Sequence, residues 1–184
     1  TGGAIYLPPA LENGRLFVGS ADGRVYAFEA ATGRPLWTFR AAPGDRWIPV
    51  YGKLMSTWAV SGGVLVRDGV VYAAAGISHF DGTHVFALDA ASGRVKWYND
   101  TSGTTSEEVD HGVSLQGELY LRGKELRFLG GGVHEEARYD LATGKCLNEP
   151  VDQPSSMFPT ASYAYFPDYG KYTSLDCNLN DGRS

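Results

Sequence analysis

Short apolar runs separated by turn-forming residues recur along this 184-residue chain. Residues 15–19 and 25–28 are rich in valine, phenylalanine and tyrosine, and the Asp22-Gly23 pair between them favours a two-residue turn. A second turn at 29–33 combines an acidic residue with a glycine suited to positive φ, and the run 35–39 follows it. The pattern predicts antiparallel strands joined by hairpins.

This pattern occurs three times, which indicates a repeat architecture. The copies span approximately residues 14–39, 60–99 and 113–149. In the second copy, residues 63–66 before the Asp68-Gly69 turn supply a fourth strand, so that one unit is a four-stranded antiparallel meander.

Units of this kind in series predict an all-β fold, a β-propeller with about three to four blades in this sequence. Residues 145–147 are predicted as the last strand of the third unit, and residues 155–184 as the start of a further blade. The complete ring would have six to eight blades. The alternative all-β fold, an immunoglobulin-like sandwich, would need no internal repeat and usually has a buried Cys and Trp pair.

Composition narrows the possible partners. The net charge of -5 and the scattered Lys and Arg residues argue against nucleic acid, which requires clustered positive charge. The apolar runs are far shorter than the roughly 20 residues that a membrane-spanning helix needs. Cys146 and Cys177 fit no metal-binding spacing, although they could pair if the fold brings them together. The absence of an initial Met suggests a piece of a longer polypeptide.

Two stretches of the repeat, 27–37 and 87–97, have identical spacing: Ala-Phe-Glu-Ala-Ala-Thr-Gly-Arg-Pro-Leu-Trp and Ala-Leu-Asp-Ala-Ala-Ser-Gly-Arg-Val-Lys-Trp. They resemble the tryptophan-docking motif of pyrroloquinoline-quinone-like (PQQ-like) repeats. A small Ala and a Gly without Cβ leave a flat slot in which an indole can stack and donate its N–H to a neighbouring blade. The alternative is that both tryptophans are ordinary core aromatics.

The resemblance implies a structural docking role for one set of residues: Ala27, Gly33, Trp37, Ala87, Gly93 and Trp97. The third copy departs from the motif, with Arg138 in place of the Ala and Asn148 in place of the Trp. Its docking contact is therefore in doubt.

Propellers place ligand sites where the connections between blades and the loops between second and third strands gather, which we call the loop face. In this chain residues 40–58 are expected to form one of these loops. The charged and histidine residues of such loops are candidates for ligand contact: Asp45, Arg46, Lys53, His79, Glu107, Glu108, Asp110, His111, His134 and Glu135. They could collect around a metal, but their spacing matches no known signature and favours a solvated acidic rim. A group within residues 40–58 could also bind an anionic partner or an acidic side chain of the next blade, and an intramolecular salt bridge is favoured for it: Asp45, Arg46, Trp47 and Lys53.

The family that the repeats resemble contains both quinoprotein dehydrogenases and cofactor-free scaffolds. A dehydrogenase would be expected to have an adjacent Cys-Cys pair and a carboxylate and amide set around calcium, and the sequence has no adjacent cysteines. No catalytic residues are predicted, and a non-catalytic interaction module is favoured. A fragment of a PQQ-dependent oxidoreductase, with PQQ and calcium as its cofactors, is the alternative. The expected partners are further blades, a second copy or other proteins, and family analogy suggests a periplasmic location.

Overall fold

A computed structural model of the chain describes residues 1–77, 81–102, 112–130 and 134–149. All of them lie in one compact unit, Thr1–Pro150. The further blade predicted at 155–184 and the possible partner Cys177 lie outside the described residues.

Thirteen strands in these residues form three main sheets and one separate hairpin. Sheet 1 contains β1 (Ala10–Glu12), β2 (Arg15–Gly19), β3 (Arg24–Glu29) and β4 (Pro35–Arg40). The hairpin contains β5 (Trp47–Val50) and β6 (Lys53–Ser56). Sheet 2 contains β7 (Val64–Arg67), β8 (Val70–Ala75), β9 (His84–Asp89) and β10 (Val95–Asn99). Sheet 3 contains β11 (Tyr120–Arg122), β12 (Glu125–Leu129) and β13 (Glu136–Asp140).

Each main sheet is an antiparallel meander in chain order, as the repeat predicts. The turn between β7 and β8 is Asp68-Gly69, with φ of +52° and +75° at the two residues. The turn between β2 and β3 is wider than predicted: it spans four residues, and Gly23 N–H donates to the Ser20 carbonyl at 3.1 Å. Within it only Gly23 has positive φ, at +78°, and the Asp22 carboxylate accepts hydrogen bonds from Arg24 N–H and the Tyr26 hydroxyl.

The core lies between consecutive sheets. Phe17 and Ala27 of sheet 1 pack against Val71 and Phe86 of sheet 2 in one fully apolar cluster. The opposite face of sheet 2 packs on sheet 3 in a second cluster. Both central strands of sheet 2 are almost entirely buried, because each of their faces is covered by a neighbouring sheet.

Two details of the sequence prediction are wrong. Residues 40–58, expected as a loop, contain the β5–β6 hairpin, whose turn at Tyr51-Gly52 has φ of +46° and +76°. Residues 145–147 do not form a full strand, since β13 is met only by an isolated bridge from Tyr139 to Cys146. The side chain of Asn148 instead forms hydrogen bonds with the backbone of β13, in place of the backbone bonds that a paired strand would make there.

Candidate functional site

Trp37 belongs to sheet 1 but contacts a turn of sheet 2. Its Nε1 donates to the Ala90 carbonyl at 3.1 Å. The indole covers Gly93, where a Cβ atom would lie only 2.8 Å from the indole Cδ2. Gly93 has φ of +71°, so the position favours glycine twice, by backbone conformation and by space.

Trp97 makes the same contact one unit further along the chain. Its Nε1 donates to the Leu141 carbonyl at 3.0 Å, and its indole covers Gly144. A Cβ at Gly144 would lie 2.6 Å from the indole Cδ2, and its φ is +73°. The described residues therefore contain two equivalent indole contacts between consecutive sheets.

The small residues of the motif take separate positions. Ala27 and Ala87 are buried cross-strand partners of Trp37 and Trp97 within the same sheet. Gly33 has the same turn conformation, with φ of +71°, but no described atom lies within 4 Å of where its Cβ would be. The glycine of each motif thus receives the indole of the preceding unit, and Gly33 receives none among the described residues.

Short polar contacts hold the glycine turns in shape. Asp89 accepts hydrogen bonds from the Ser92 amide at 2.9 Å and the Ser92 hydroxyl at 2.7 Å. Asp140 accepts the equivalent pair from Thr143 at the same two distances. These bonds lower the pKa of both carboxyl groups, since each stabilises the ionised form. The turns are thereby held by hydrogen bonds that do not involve the indole.

The connections between sheets bond both of their neighbours at the loop face. Val60 N–H donates to the backbone carbonyl of Ser20, just after β2 of sheet 1, at 3.1 Å. The carbonyl of the adjacent Ala59 accepts from the N–H of Gly76, just after β8 of sheet 2, at 3.3 Å. In the next connection, Leu115 N–H donates to the Gly76 carbonyl at 3.1 Å, and Ser114 N–H donates to the Gly130 carbonyl at 2.7 Å. Consecutive sheets are therefore joined by backbone at the loop face as well as by an indole.

Trp58 organises the charged groups of the first connection. The Arg46 guanidinium lies over the Trp58 ring at 4.8 Å and forms an ion pair with Asp81. The Trp58 Nε1 donates to the Asp81 carbonyl at 2.6 Å. The cluster therefore joins the first connection to the β8–β9 loop, and the charges of Arg46 and Asp81 are paired with each other.

His84 lies beside this cluster at the start of β9. Its Nδ1 lies 2.6 Å from the Tyr98 hydroxyl, and Trp58 approaches the imidazole edge-on at 6.4 Å. Burial lowers the pKa of His84, although Asp100 partly opposes the shift. Burial, followed by the nearby Asp100, raises the pKa of Tyr98 to about 12. Both groups are therefore neutral at neutral pH.

Acidification is expected to destabilise the wild-type protein more than the His84→Gln variant. Because the pKa of His84 in the folded protein lies below its ordinary value of 6.5, the unfolded chain binds the proton more readily. The contribution of His84 to stability is complete above that ordinary value and falls as the pH drops towards the lower folded pKa. Urea unfolding at a series of pH values between 8 and 5, in steps of about half a unit, measures the difference. Parallel profiles for the two proteins would contradict the prediction.

Of the sequence-predicted candidates at the loop face, those that the structure describes are spread over separate contacts. Asp45 pairs with Arg40 at 3.0 Å, and Lys53 lies exposed on the hairpin. The backbone carbonyl of Glu135, next to His134, accepts from Gly130 N–H at 2.9 Å. The other predicted candidates lie outside the described residues: His79, Glu107, Glu108, Asp110 and His111. In the described part of the chain, no three His, Cys, Asp or Glu residues come together as a possible metal site.

Sequence reasoning missed Trp58, Asp81 and Tyr98. They are far apart in sequence and come together only because β9, β10 and the first connection end at the same place.

An open cavity of about 460 Å³ lies where the segments that enter the three sheets approach one another. Leu7, Gly62 and Gly117 line it, with Ser61, Gln116 and Glu118 as its polar groups. A Cβ at Gly62 would lie 2.6 Å from the Gly117 carbonyl oxygen, so the entry segments nearly touch. Glycine here permits the close approach of three sheets.

Known proteins share this arrangement. The family described as outer membrane protein assembly factor BamB matches residues 1–156. The dehydrogenase subunit of the quinone alcohol dehydrogenase of Acetobacter aceti is 34% identical over 137 residues, which cover 70% of this chain and 18% of that subunit. BamB of Burkholderia pseudomallei strain K96243 is 30% identical over 126 residues, which cover 67% of this chain and 29% of that protein.

The crystal structure of quinohemoprotein alcohol dehydrogenase from Comamonas testosteroni has the same fold, with a TM-score of 0.56 at 22% identity. The match covers 78% of this chain and 20% of that one. The chain thus spans less than a third of the length of each of these proteins. The three sheets are consecutive blades of a β-propeller, and the chain belongs to the PQQ-like repeat family described as outer membrane protein assembly factor BamB.

Proposed function

We propose that this chain is part of a non-catalytic propeller scaffold that holds another protein at its loop face. The β5–β6 hairpin carries the proposal. Its inner residues Ile48 and Met55 pack in an apolar cluster with Ala59, while Trp47 and Leu54 on the outer face are 45% and 67% exposed. Tyr51 at the turn is fully exposed. An apolar surface that the fold itself does not need is typical of a protein-binding site.

The free edge of the hairpin favours contact through side chains. Pro49 lies in the middle of β5 and has no N–H to offer an added strand. A partner is therefore expected to pack on the outer face of the hairpin, not to extend it as a third strand. Lys53 beside the turn would favour a partner with a carboxylate near its apolar surface.

The charges near the hairpin also support a structural role. Arg46 and Asp81 pair with each other, and Arg40 pairs with Asp45. The first pair links the connection to the β8–β9 loop, and side chains committed to such contacts are not arranged around a substrate. In the described part of the chain, no helix has the length and apolar character needed to cross a bilayer. The likeness to an outer membrane protein assembly factor supports a periplasmic location.

A fragment of a PQQ-dependent dehydrogenase is the second candidate, and the 34% identity to a quinone alcohol dehydrogenase subunit favours it. The carboxylates that the structure describes do not gather into a calcium-binding group. No catalytic step is therefore assigned to this segment.

Photo-crosslinking in the intact polypeptide tests the scaffold. Benzoylphenylalanine at Tyr51 or Leu54 is expected to crosslink to one protein in cells, whereas the same group at exposed Lys96 on the outer strand β10 is not. Addition of PQQ and calcium to the purified protein is expected to give no dye-coupled alcohol oxidation. Equal labelling at all three positions would contradict the scaffold, and robust oxidation would support the dehydrogenase instead.

A further inference from the structure

One row of cross-strand neighbours on each sheet faces the next sheet along the chain. In sheet 1 the row is Ala10, Phe17, Ala27 and Trp37. In sheet 2 it is Leu65, Tyr72, Ala87 and Trp97. The equivalent row of sheet 3 is Tyr120, Arg127 and Arg138. Two arginines thus stand where the first two sheets have an aromatic residue and an alanine.

These arginines belong to a partly buried ion network. The Arg127 side chain is only 12% exposed and pairs with Glu125 at 2.7 Å and with Glu136 on its other side. Arg138 donates to both carboxylate oxygens of Glu125, at 3.1 and 2.9 Å. Tyr120 donates its hydroxyl to Glu136. The hydrogen bonds from Arg138, with Arg127 adding to them, lower the pKa of Glu125 to about 2.

The indole is missing from this face as well. Asn148 stands at the Trp position and uses its side chain on its own sheet, where it accepts from Arg138 N–H and donates to the Glu136 carbonyl, both at 2.8 Å. It cannot reach a neighbouring sheet while it makes these bonds. Sheets 1, 2 and 3 are joined by apolar faces and bridging indoles. Among the described residues, the outward face of sheet 3 has neither an apolar row nor an indole.

An apolar sheet laid over this face would remove water from four charged groups and return no hydrogen bonds. That exchange is costly, because partly buried charges depend on remaining solvent or on polar partners. A surface with its own charged and hydrogen-bonding groups would not impose this cost. The chemistry of the face therefore selects a polar neighbour.

We propose that the outward face of sheet 3 contacts a further sheet of the same propeller through charged and hydrogen-bonding groups, without a bridging indole. Continuity identifies the occupant: the same face of sheets 1 and 2 is covered by the following sheet. This interface is sensitive to salt, whereas the two described interfaces are held by apolar packing. The proposal is independent of whether the propeller is a scaffold or part of a dehydrogenase.

Cysteine labelling in the intact polypeptide tests the interface. In a background with Cys146→Ala and Cys177→Ala, Leu129→Cys places a thiol on the outward face, where the leucine is 55% exposed in the described residues. Val66→Cys reports on the apolar interface between sheets 1 and 2, and Leu54→Cys gives the rate for an exposed hairpin position. Arg122→Cys, on the same face of sheet 3, replaces Leu129→Cys if that variant does not fold.

At low salt, maleimide labelling of Leu129→Cys is expected to be at least about tenfold slower than that of Leu54→Cys. In about 1 M NaCl, where the screening length falls to roughly 3 Å, it is expected to become at least about tenfold faster, while Val66→Cys stays protected. Fast labelling at both salt concentrations would show an uncovered face, and slow labelling at both would show an apolar interface. Either result overturns the proposal, as does protection that depends on protein concentration, which would indicate a second copy.

Discussion

Alanine at Gly93 or Gly144 is expected to lower the free energy of unfolding by about 3 kcal/mol, whereas alanine at Gly33 should cost only about 1 kcal/mol. The three glycines have almost the same backbone conformation, with φ of +71°, +73° and +71° for Gly93, Gly144 and Gly33. The strain of a side chain at positive φ is therefore common to all three. Only Gly93 and Gly144 lie beneath an indole, which the new methyl group would displace from its carbonyl partner.

Urea unfolding followed by far-ultraviolet circular dichroism measures these differences in one protein under one set of conditions. Gly33→Ala serves as the matched control, because it changes the same kind of turn at a position where no described tryptophan lies within 4 Å of the new methyl group. Equal losses for Gly33→Ala and Gly93→Ala would mean that backbone strain alone explains the glycines. The indole would then have room to move, and its contact with the next sheet would contribute little.

The repeat made the fold predictable from the sequence. Two stretches with identical spacing, 27–37 and 87–97, place turn residues and aromatic residues at the same steps of a four-stranded unit. Alternation along a strand then assigns side chains to its two faces. The spacing alone does not predict which unit supplies the glycine under each indole. The contact from Trp37 to Gly93 crosses from one unit to the next.

The loop face was predictable only in part. Its charged residues could be named, but their pairing depends on where separate connections end in space. Arg46 and Asp81 are 35 positions apart and meet beside Trp58, which contacts the Arg46 guanidinium with its ring and the Asp81 carbonyl with its Nε1. The β5–β6 hairpin was missed because its turn, Tyr51-Gly52, puts a tyrosine at positive φ, where Asn or Asp is more usual.

The third unit shows how one departure from a motif changes an interface. Arg138 and Asn148 were visible in the sequence as misfits to the first two copies. Their consequence required the structure, because Asn148 could have pointed outwards as the indoles do. It instead bonds its own sheet, and Arg138 joins the carboxylate of Glu125. The sequence thus marks the position of a different interface, and the hydrogen bonds define its chemistry.

Truncation of Trp37 or Trp97 to alanine is expected to lower the free energy of unfolding by about 3 kcal/mol. Each variant loses the indole packing between two sheets and leaves a backbone carbonyl, at Ala90 or Leu141, without its donor. Trp97→Phe keeps an aromatic ring and should cost less, about 1 kcal/mol for the lost hydrogen bond together with a small packing defect. Urea unfolding by circular dichroism again provides the measurement.

Trp47→Ala is the control for these variants, since it removes the same side chain from the exposed face of the hairpin. We expect it to change stability by less than about 0.5 kcal/mol, because a surface substitution leaves no cavity between sheets. If Trp37→Ala were no more destabilising than Trp47→Ala, the indoles would not join the sheets. The backbone bonds of Val60 and Leu115 at the loop face would then have to hold consecutive blades together without them.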